Sequence, residues 1–152
     1  MIKKKIFVFF ALVNIICFAQ MTNHQSQITI KEAWLRPAAV GSNTAFFFEV
    51  VNNSEKPDTL FKAESLLSEL VEVHETYSKG NDMMGMRRVD FVEIPSNGSV
   101  KFKPRDLHIM LLRLKTDLKI GDSGKIKLFF KRNGIKEITG IVRDMPSMMK
   151  SK

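Results

Sequence analysis

Apolar and polar residues alternate along this chain in short runs. Ile28–Leu35, Thr44–Asn52, Leu60–Ala63, Glu69–Thr76, Met86–Ile94, Ser99–Phe102, Leu107–Leu114, Lys125–Lys131 and Glu137–Arg143 are rich in Val, Ile, Phe or Leu. Several of them repeat with a period of two, which sends successive side chains to opposite faces of a strand. Turn-forming residues separate the runs: Asn52-Asn53-Ser54, Pro57-Asp58, Lys79-Gly80-Asn81-Asp82, Pro95-Ser96-Asn97-Gly98, Pro104-Arg105-Asp106 and Gly121-Asp122-Ser123-Gly124. One stretch, Phe61–Val71, is the single helical candidate in a chain otherwise read as strands, since Leu66, Leu67 and Leu70 could line one face. About eight or nine short strands with such frequent turns predict an all-β domain, a β-sandwich or a small barrel.

The two ends read differently from the middle. Met1–Lys5 carries three lysines and Ile6–Ala19 is almost wholly apolar, the pattern of a secretory signal peptide. The apolar run is too short to span a bilayer comfortably as a helix. Small residues at Cys17 and Ala19 place the expected cleavage before Gln20, which makes residues 1–19 a signal peptide and 20–27 a polar leader. Cys17 after an apolar run also fits a lipid-anchored form, although Asn14 stands where such signals usually have leucine. The strand-forming region, 28–143, is read as one domain. Residues 144–152, with Met145, Met148 and Met149 among lysines and Pro146, are read as a flexible tail.

Export changes the composition that matters. Lys3, Lys4 and Lys5 leave with no acidic residue among the first nineteen, and the net charge falls from +8 to +5. The lysines of the domain are scattered rather than interleaved with aromatics, so nucleic acid is not an expected partner. Cys17 is the only cysteine and leaves as well. The mature chain then has no disulfide and no thiolate, which suits an oxidising compartment. Any metal site must use histidine, methionine or carboxylates.

Three histidines and nine methionines supply those donors. His24 lies in the leader; His74 and His108 lie in expected strands. His108-Ile109-Met110 puts an imidazole and a thioether on one strand face. Val71 and Val73 are expected in the core, which turns His74 the other way, and Met84-Gly85-Met86 offers two sulfurs on one side. Thioether sulfur is neutral and polarizable; with imidazole it suits Cu(I) and serves Zn(II), Mg(II) or Ca(II) poorly. Each residue taken singly also has an ordinary reading. Methionines fill gaps in cores, and strand histidines are more often hydrogen-bonded than metal-bound. Glu69, Glu72 and Glu75 read as a solvated face, and no nucleophile motif is present, so an enzyme is not expected. Composition and spacing alone stop at a candidate metal site.

The chain resembles the periplasmic copper chaperone family PCuAC. That family's signature is a histidine, eleven residues, a methionine, twenty-one residues, then His-x-Met; His74, Met86, His108 and Met110 stand at that spacing. Ala33-Trp34-Leu35-Arg36-Pro37, Val71–Glu75, Met86–Val89, Leu107–Leu111 and Leu118–Asp122 resemble its flanking segments. Two departures stand out: Glu75 follows the first histidine where many members have methionine, and Arg105-Asp106-Leu107 stands where many have Gly-Gly before His-x-Met. The resemblance implies a cupredoxin-like Greek-key β-sandwich, one Cu(I) on His74, Met86, His108 and Met110, and delivery to a copper enzyme, the CuA centre of cytochrome c oxidase. It also raises a second copper site on Met145, Met148 and Met149. The expected protein is thus an exported, periplasmic, monomeric Cu(I) chaperone. The alternative is copper buffering without a dedicated recipient. A blue-copper electron carrier is excluded for a chain without the thiolate it requires, and a purely structural sandwich leaves the donor spacing unexplained.

Overall fold

The computed structural model describes residues 27–145. The expected signal peptide and most of the leader, with His24 and Cys17, lie outside the described residues, as do Met148 and Met149. Ten strands form among the described residues: β1 (Ile28–Leu35), β2 (Thr44–Asn52), β3 (Asp58–Glu64), β4 (Ser68–Gly80), β5 (Met83–Arg88), β6 (Val92–Ile94), β7 (Gly98–Phe102), β8 (His108–Leu114), β9 (Ser123–Phe130) and β10 (Gly134–Val142). The fold is all-β, as expected, with ten strands rather than eight or nine.

Hydrogen bonds link the strands in the order β5-β4-β8-β2-β1-β10-β9-β3-β6, with β7 beside β2 and with β5 and β6 as edges. The two halves of this path close over one core. Leu35, Phe46, Leu60, Ile94, Ile109, Leu111, Ile126 and Leu128 are its largest fully buried members, and they come from both halves. This is the cupredoxin-like sandwich.

Phe61–Val71, the one helical candidate, forms no helix. The chain runs through β3, turns at Ser65–Leu67 and enters β4. Ser65 holds the turn: its hydroxyl donates to the Lys125 carbonyl at 2.7 Å and accepts from the Leu67 amide at 3.2 Å. Leu66 is 91% exposed, so the three leucines share no buried face. Pairing of Ser68–His74 with β8 supplies the backbone bonds a helix would have made, and tertiary context overrides local spacing. The single strand expected over Met86–Ile94 is divided. Its first part pairs with β4 and its second with β3, the chain crossing between halves at Val89–Phe91.

Two local features decide what reaches the outer face of the β4–β8–β2–β1 half. The first is an irregularity in β1 between Lys31 and Trp34, where Glu32 has φ +52°. An extra residue in a strand reverses which side chains point inward. Ile28 and Ile30 face the core before it, Ala33 and Leu35 after it, and Trp34 is turned outward against Phe47 at 4.5 Å between ring centroids. The second is the β4–β5 turn, where Gly80, Asn81 and Asp82 all have positive φ. These residue types adopt the left-handed region at least cost, and the tight turn folds β5 back along β4.

At the other end of the sandwich, Asp58 is 2% exposed and is fully engaged. Its carboxylate accepts from the amides of Thr59, Arg132 and Asn133 and from the Asn133 side chain, at 2.7, 2.9, 3.1 and 2.8 Å. Asn133 in turn accepts from the Gln27 amide at 3.1 Å, so one carboxylate ties the β9–β10 turn to the start of β3 and of β1.

Candidate metal centre

The four residues singled out from spacing lie on three adjacent strands. His74 on β4 stands directly opposite His108 on β8, and their ring centroids are 5.9 Å apart. Opposed residues of an antiparallel pair share a face. Met110, two positions beyond His108, is on that face and pairs with Glu72 on one side and Ala45 on the other. Met86 pairs with Thr76, two positions beyond His74, which brings β5 onto the same face. Between these residues, Ile109 and Leu111 point inward to the core.

His108, Met110, Met86 and Met84 line one pocket of about 510 Å³, together with Thr76, Phe47, Arg36, Arg105 and Met145. His74 stands beside this pocket rather than in its lining. Met83 does not line it. No carboxylate does, and among the described residues no group of three or more His, Cys, Asp or Glu could hold a metal ion. A fourfold donor set on this face is therefore reached only by counting thioether sulfur. A larger cleft of about 920 Å³ between β3 and β4 contains neither histidine nor methionine.

The two histidines are held differently. His108 is 4% exposed, and its Nδ1–H donates to the Asp106 carbonyl at 2.8 Å. That bond fixes the tautomer and leaves the Nε2 lone pair free, the usual preparation of a histidine for a metal. Burial pushes the imidazole below its ordinary value; the Asp106 bond opposes this and the neighbouring His74 reinforces it. The ring is therefore neutral, with its lone pair available, at neutral pH. His74 is less enclosed. Its Nε2–H donates to Glu72 Oε2 at 2.8 Å, so in the neutral ring the lone pair is on Nδ1. Glu72 is also 3.7 Å from the Arg88 guanidinium, and its side chain is only 18% exposed. The expectation of a solvated acidic face is thus corrected for Glu72. The Glu-x-His spacing already puts Glu72 on the face of His74, and that is the signal that identifies it.

Met86 and Met84 are 61% and 55% exposed, because β5 is an edge strand. Met110 is half-buried against a small apolar cluster of Trp34, Ala45 and Phe47, and Met145 packs on the same cluster. Phe47 also lies 6.3 Å from the His108 ring. One side of the pocket is thus an aromatic wall and the other an exposed thioether edge. The turn before β8 keeps a left-handed residue where the related pattern has paired glycines: Arg105 has φ +64°.

Fold and donor face together define a class, a cupredoxin-like sandwich presenting imidazole and thioether groups on the outer face of one sheet. The chain belongs to the LpqE-like family, which is the PCuAC family; the family model, described as "Putative lipoprotein LpqE-like", matches residues 28–142. It is 32% identical over 114 residues to "Uncharacterized protein RP573" of Rickettsia prowazekii, covering 72% of this chain and 62% of that one, so it spans less than two thirds of that relative. It is 28% identical over 118 residues to "Putative lipoprotein Lxx21020" of Leifsonia xyli, covering 77% and 70%. Among solved structures it is similar to the copper-bound PCuAC domain from PmoF2, with TM-score 0.64 and 23% identity over 77% of this chain and 92% of that one. It is also similar to Cu(I)-loaded DR1885 from Deinococcus radiodurans, with TM-score 0.60 and 25% identity over 84% and 86%.

Proposed function

We propose that this protein is an exported metallochaperone that carries one Cu(I) ion on His74, Met86, His108 and Met110. The observation that carries the reading is the meeting of the two imidazoles across β4 and β8, with both thioethers on the same face. His108 offers Nε2, and His74 offers Nδ1 in the tautomer that Glu72 selects. The sulfurs favour a soft monovalent ion, and the lack of carboxylates in the pocket lining disfavours hard divalent ions. The copper bound by the PmoF2 domain and the Cu(I) bound by DR1885 support the choice of metal.

Neutral thioethers hold Cu(I) without a thiolate's charge. Transfer to an acceptor with cysteine ligands is then downhill, and a CuA centre of cytochrome c oxidase is an acceptor of that kind. The test loads the mature protein anaerobically, measures copper per chain in competition with Zn(II), and then adds an apo CuA domain. One Cu(I) per chain that moves to the acceptor supports carriage. Copper that stays behind with excess acceptor supports buffering instead, and equal affinity for Zn(II) refutes the ligand set.

Export rests on the N-terminal sequence, with cleavage before Gln20, and delivery in the periplasm follows from it. The lipoprotein descriptions of the family and of the Leifsonia relative support lipidation at Cys17 as the alternative form. The intact mass of the exported protein separates a chain that begins at Gln20 from one that begins at a lipidated Cys17.

A further inference from the structure

The pocket carries a charge pattern that holding a cation does not use. Arg36 and Arg105 both line it and both are exposed. Neither forms an ion pair among the described residues, a state they share with Arg132 and with Arg143, which lies over the Trp34 ring. Two guanidiniums lining a cation site gain nothing from a Cu(I) ion, since like charges repel. Arg105 is moreover held at φ +64°, a left-handed conformation that L-residues other than asparagine and aspartate rarely adopt. An unpaired arginine kept in a strained backbone at the mouth of a site is a reason to look for a function there. Alongside the two arginines lie Met84 and Met86, both more than half exposed. Exposed methionine with arginine is the composition of an interface, not of ordinary surface.

We propose that Arg36 and Arg105 form a docking rim for the acceptor protein, and that the acceptor meets it with an acidic face surrounding its copper ligands. This rests on the copper-carrier reading and adds the chemistry of the partner. Charge complementarity selects the occupant. Carboxylates on the acceptor pair with the free guanidiniums, while the thioether edge of β5 comes against the incoming ligands. Such steering acts chiefly on the rate of encounter and fades with salt. It also explains why arginine occupies the left-handed position, where glycine would fit without strain but would carry no charge.

The test uses two fluorescein-labelled peptides with the same Cys-x-x-Cys core, one flanked by glutamates and one by glutamines. Binding to the metal-free protein is read by anisotropy, and Cu(I) transfer from the loaded protein by stopped flow. Both are repeated at low and high salt and with Arg36→Gln/Arg105→Gly, which removes both charges and relieves the strained backbone. The expected result is that the glutamate peptide binds and is metallated about tenfold faster at low salt. The advantage disappears at high salt and in the double variant, whose Cu(I) affinity against a small chelator is no weaker than the parent's. Equal rates for the two peptides, or an undiminished advantage in the variant, overturn the proposal. So does arginine-dependent binding to phosphatidylglycerol vesicles with no preference between peptides, which would make the rim a lipid contact. If the protein binds no copper yet docks the glutamate peptide through these arginines, the rim stands and the copper reading falls.

Discussion

Asp58→Asn tests whether the far end of the sandwich is held by one carboxylate. Oδ1 accepts from the Thr59 and Arg132 amides, and Oδ2 from both nitrogens of Asn133. An asparagine keeps only one oxygen. Whichever way its amide is turned, two N–H donors of a site that is 2% exposed face an NH2 group. Two bonds are lost outright, and the other two lose their charge assistance. Leaving a buried donor unsatisfied costs about 1–3 kcal/mol, so the expected destabilisation is about 3 kcal/mol, a large fraction of the roughly 5–15 kcal/mol of an ordinary domain. The carboxyl also sets a pH dependence. Burial pushes its pKa up, but the bonds from Asn133, Arg132 and Thr59 outweigh this and hold it below the ordinary 3.8. A depressed carboxyl stabilises the fold fully above its unfolded value, and this contribution is lost as pH falls through the folded value. The gap between parent and variant should therefore be constant near neutrality and shrink below about pH 4. Urea unfolding followed by fluorescence of Trp34, the only tryptophan, measures both. A loss under about 1 kcal/mol at pH 7, or a gap that persists in acid, refutes the argument.

Three further outcomes concern the metal. Glu72→Ala should weaken Cu(I) binding about tenfold, because His74 loses the partner that fixes its tautomer, and Glu72→Asp should restore part of the loss; competition against a Cu(I) chelator measures both. Met86→Leu and Met110→Leu conserve volume and should keep the fold while weakening copper sharply, whereas Met84→Leu weakens it less and Met83→Leu leaves it unchanged. A greater loss for Met84→Leu than for Met86→Leu would move the second ligand by two positions. Because the His108 pKa is lowered, protons displace its share of the binding only below the ordinary histidine value of 6.5. Cu(I) affinity measured from pH 8 to pH 5 should fall on the acid side of that value, and a fall complete by pH 7 would contradict the assigned environment.

Much of this arrangement is written in local spacing. β1 and β2 end where the alternation ends, at Leu35 and Asn52, because a half-buried strand and its hydrophobic period are the same constraint. His108 and Met110 share a face for the same reason. What spacing could not carry was pairing. Strict alternation from Ile28 and Ile30 puts Trp34 in the main core, and the bulge at Glu32 puts it on the other face, in the smaller buried cluster with Ala45 and Phe47. The leucines of Phe61–Val71 satisfy a helical template as well as a strand, and only β8 decides between them. Met145 reaches the pocket through packing on Trp34 and Phe47, side chains brought together from distant segments. Glu72 was hidden by its own residue type, since a carboxylate on a strand reads as solvent-facing until its partner histidine is placed.

The position of β5 at the sheet edge has a kinetic consequence. On the proposed ligand set, three donors sit on β4 and β8, strands hydrogen-bonded on both sides over at least part of their length, while Met86 sits on a strand with one neighbour. The four copper bonds are then unequal in lifetime. The thioether of β5 can swing away while the other three ligands stay in place, opening one coordination position to an incoming nucleophile. Exchange through such a vacancy should quicken with acceptor concentration and level off at the rate at which the β5 thioether opens, a limit faster than spontaneous release of the ion from all four ligands. On that ligand set, the three donors of β4 and β8 keep hold of the ion until an incoming ligand has entered the open position.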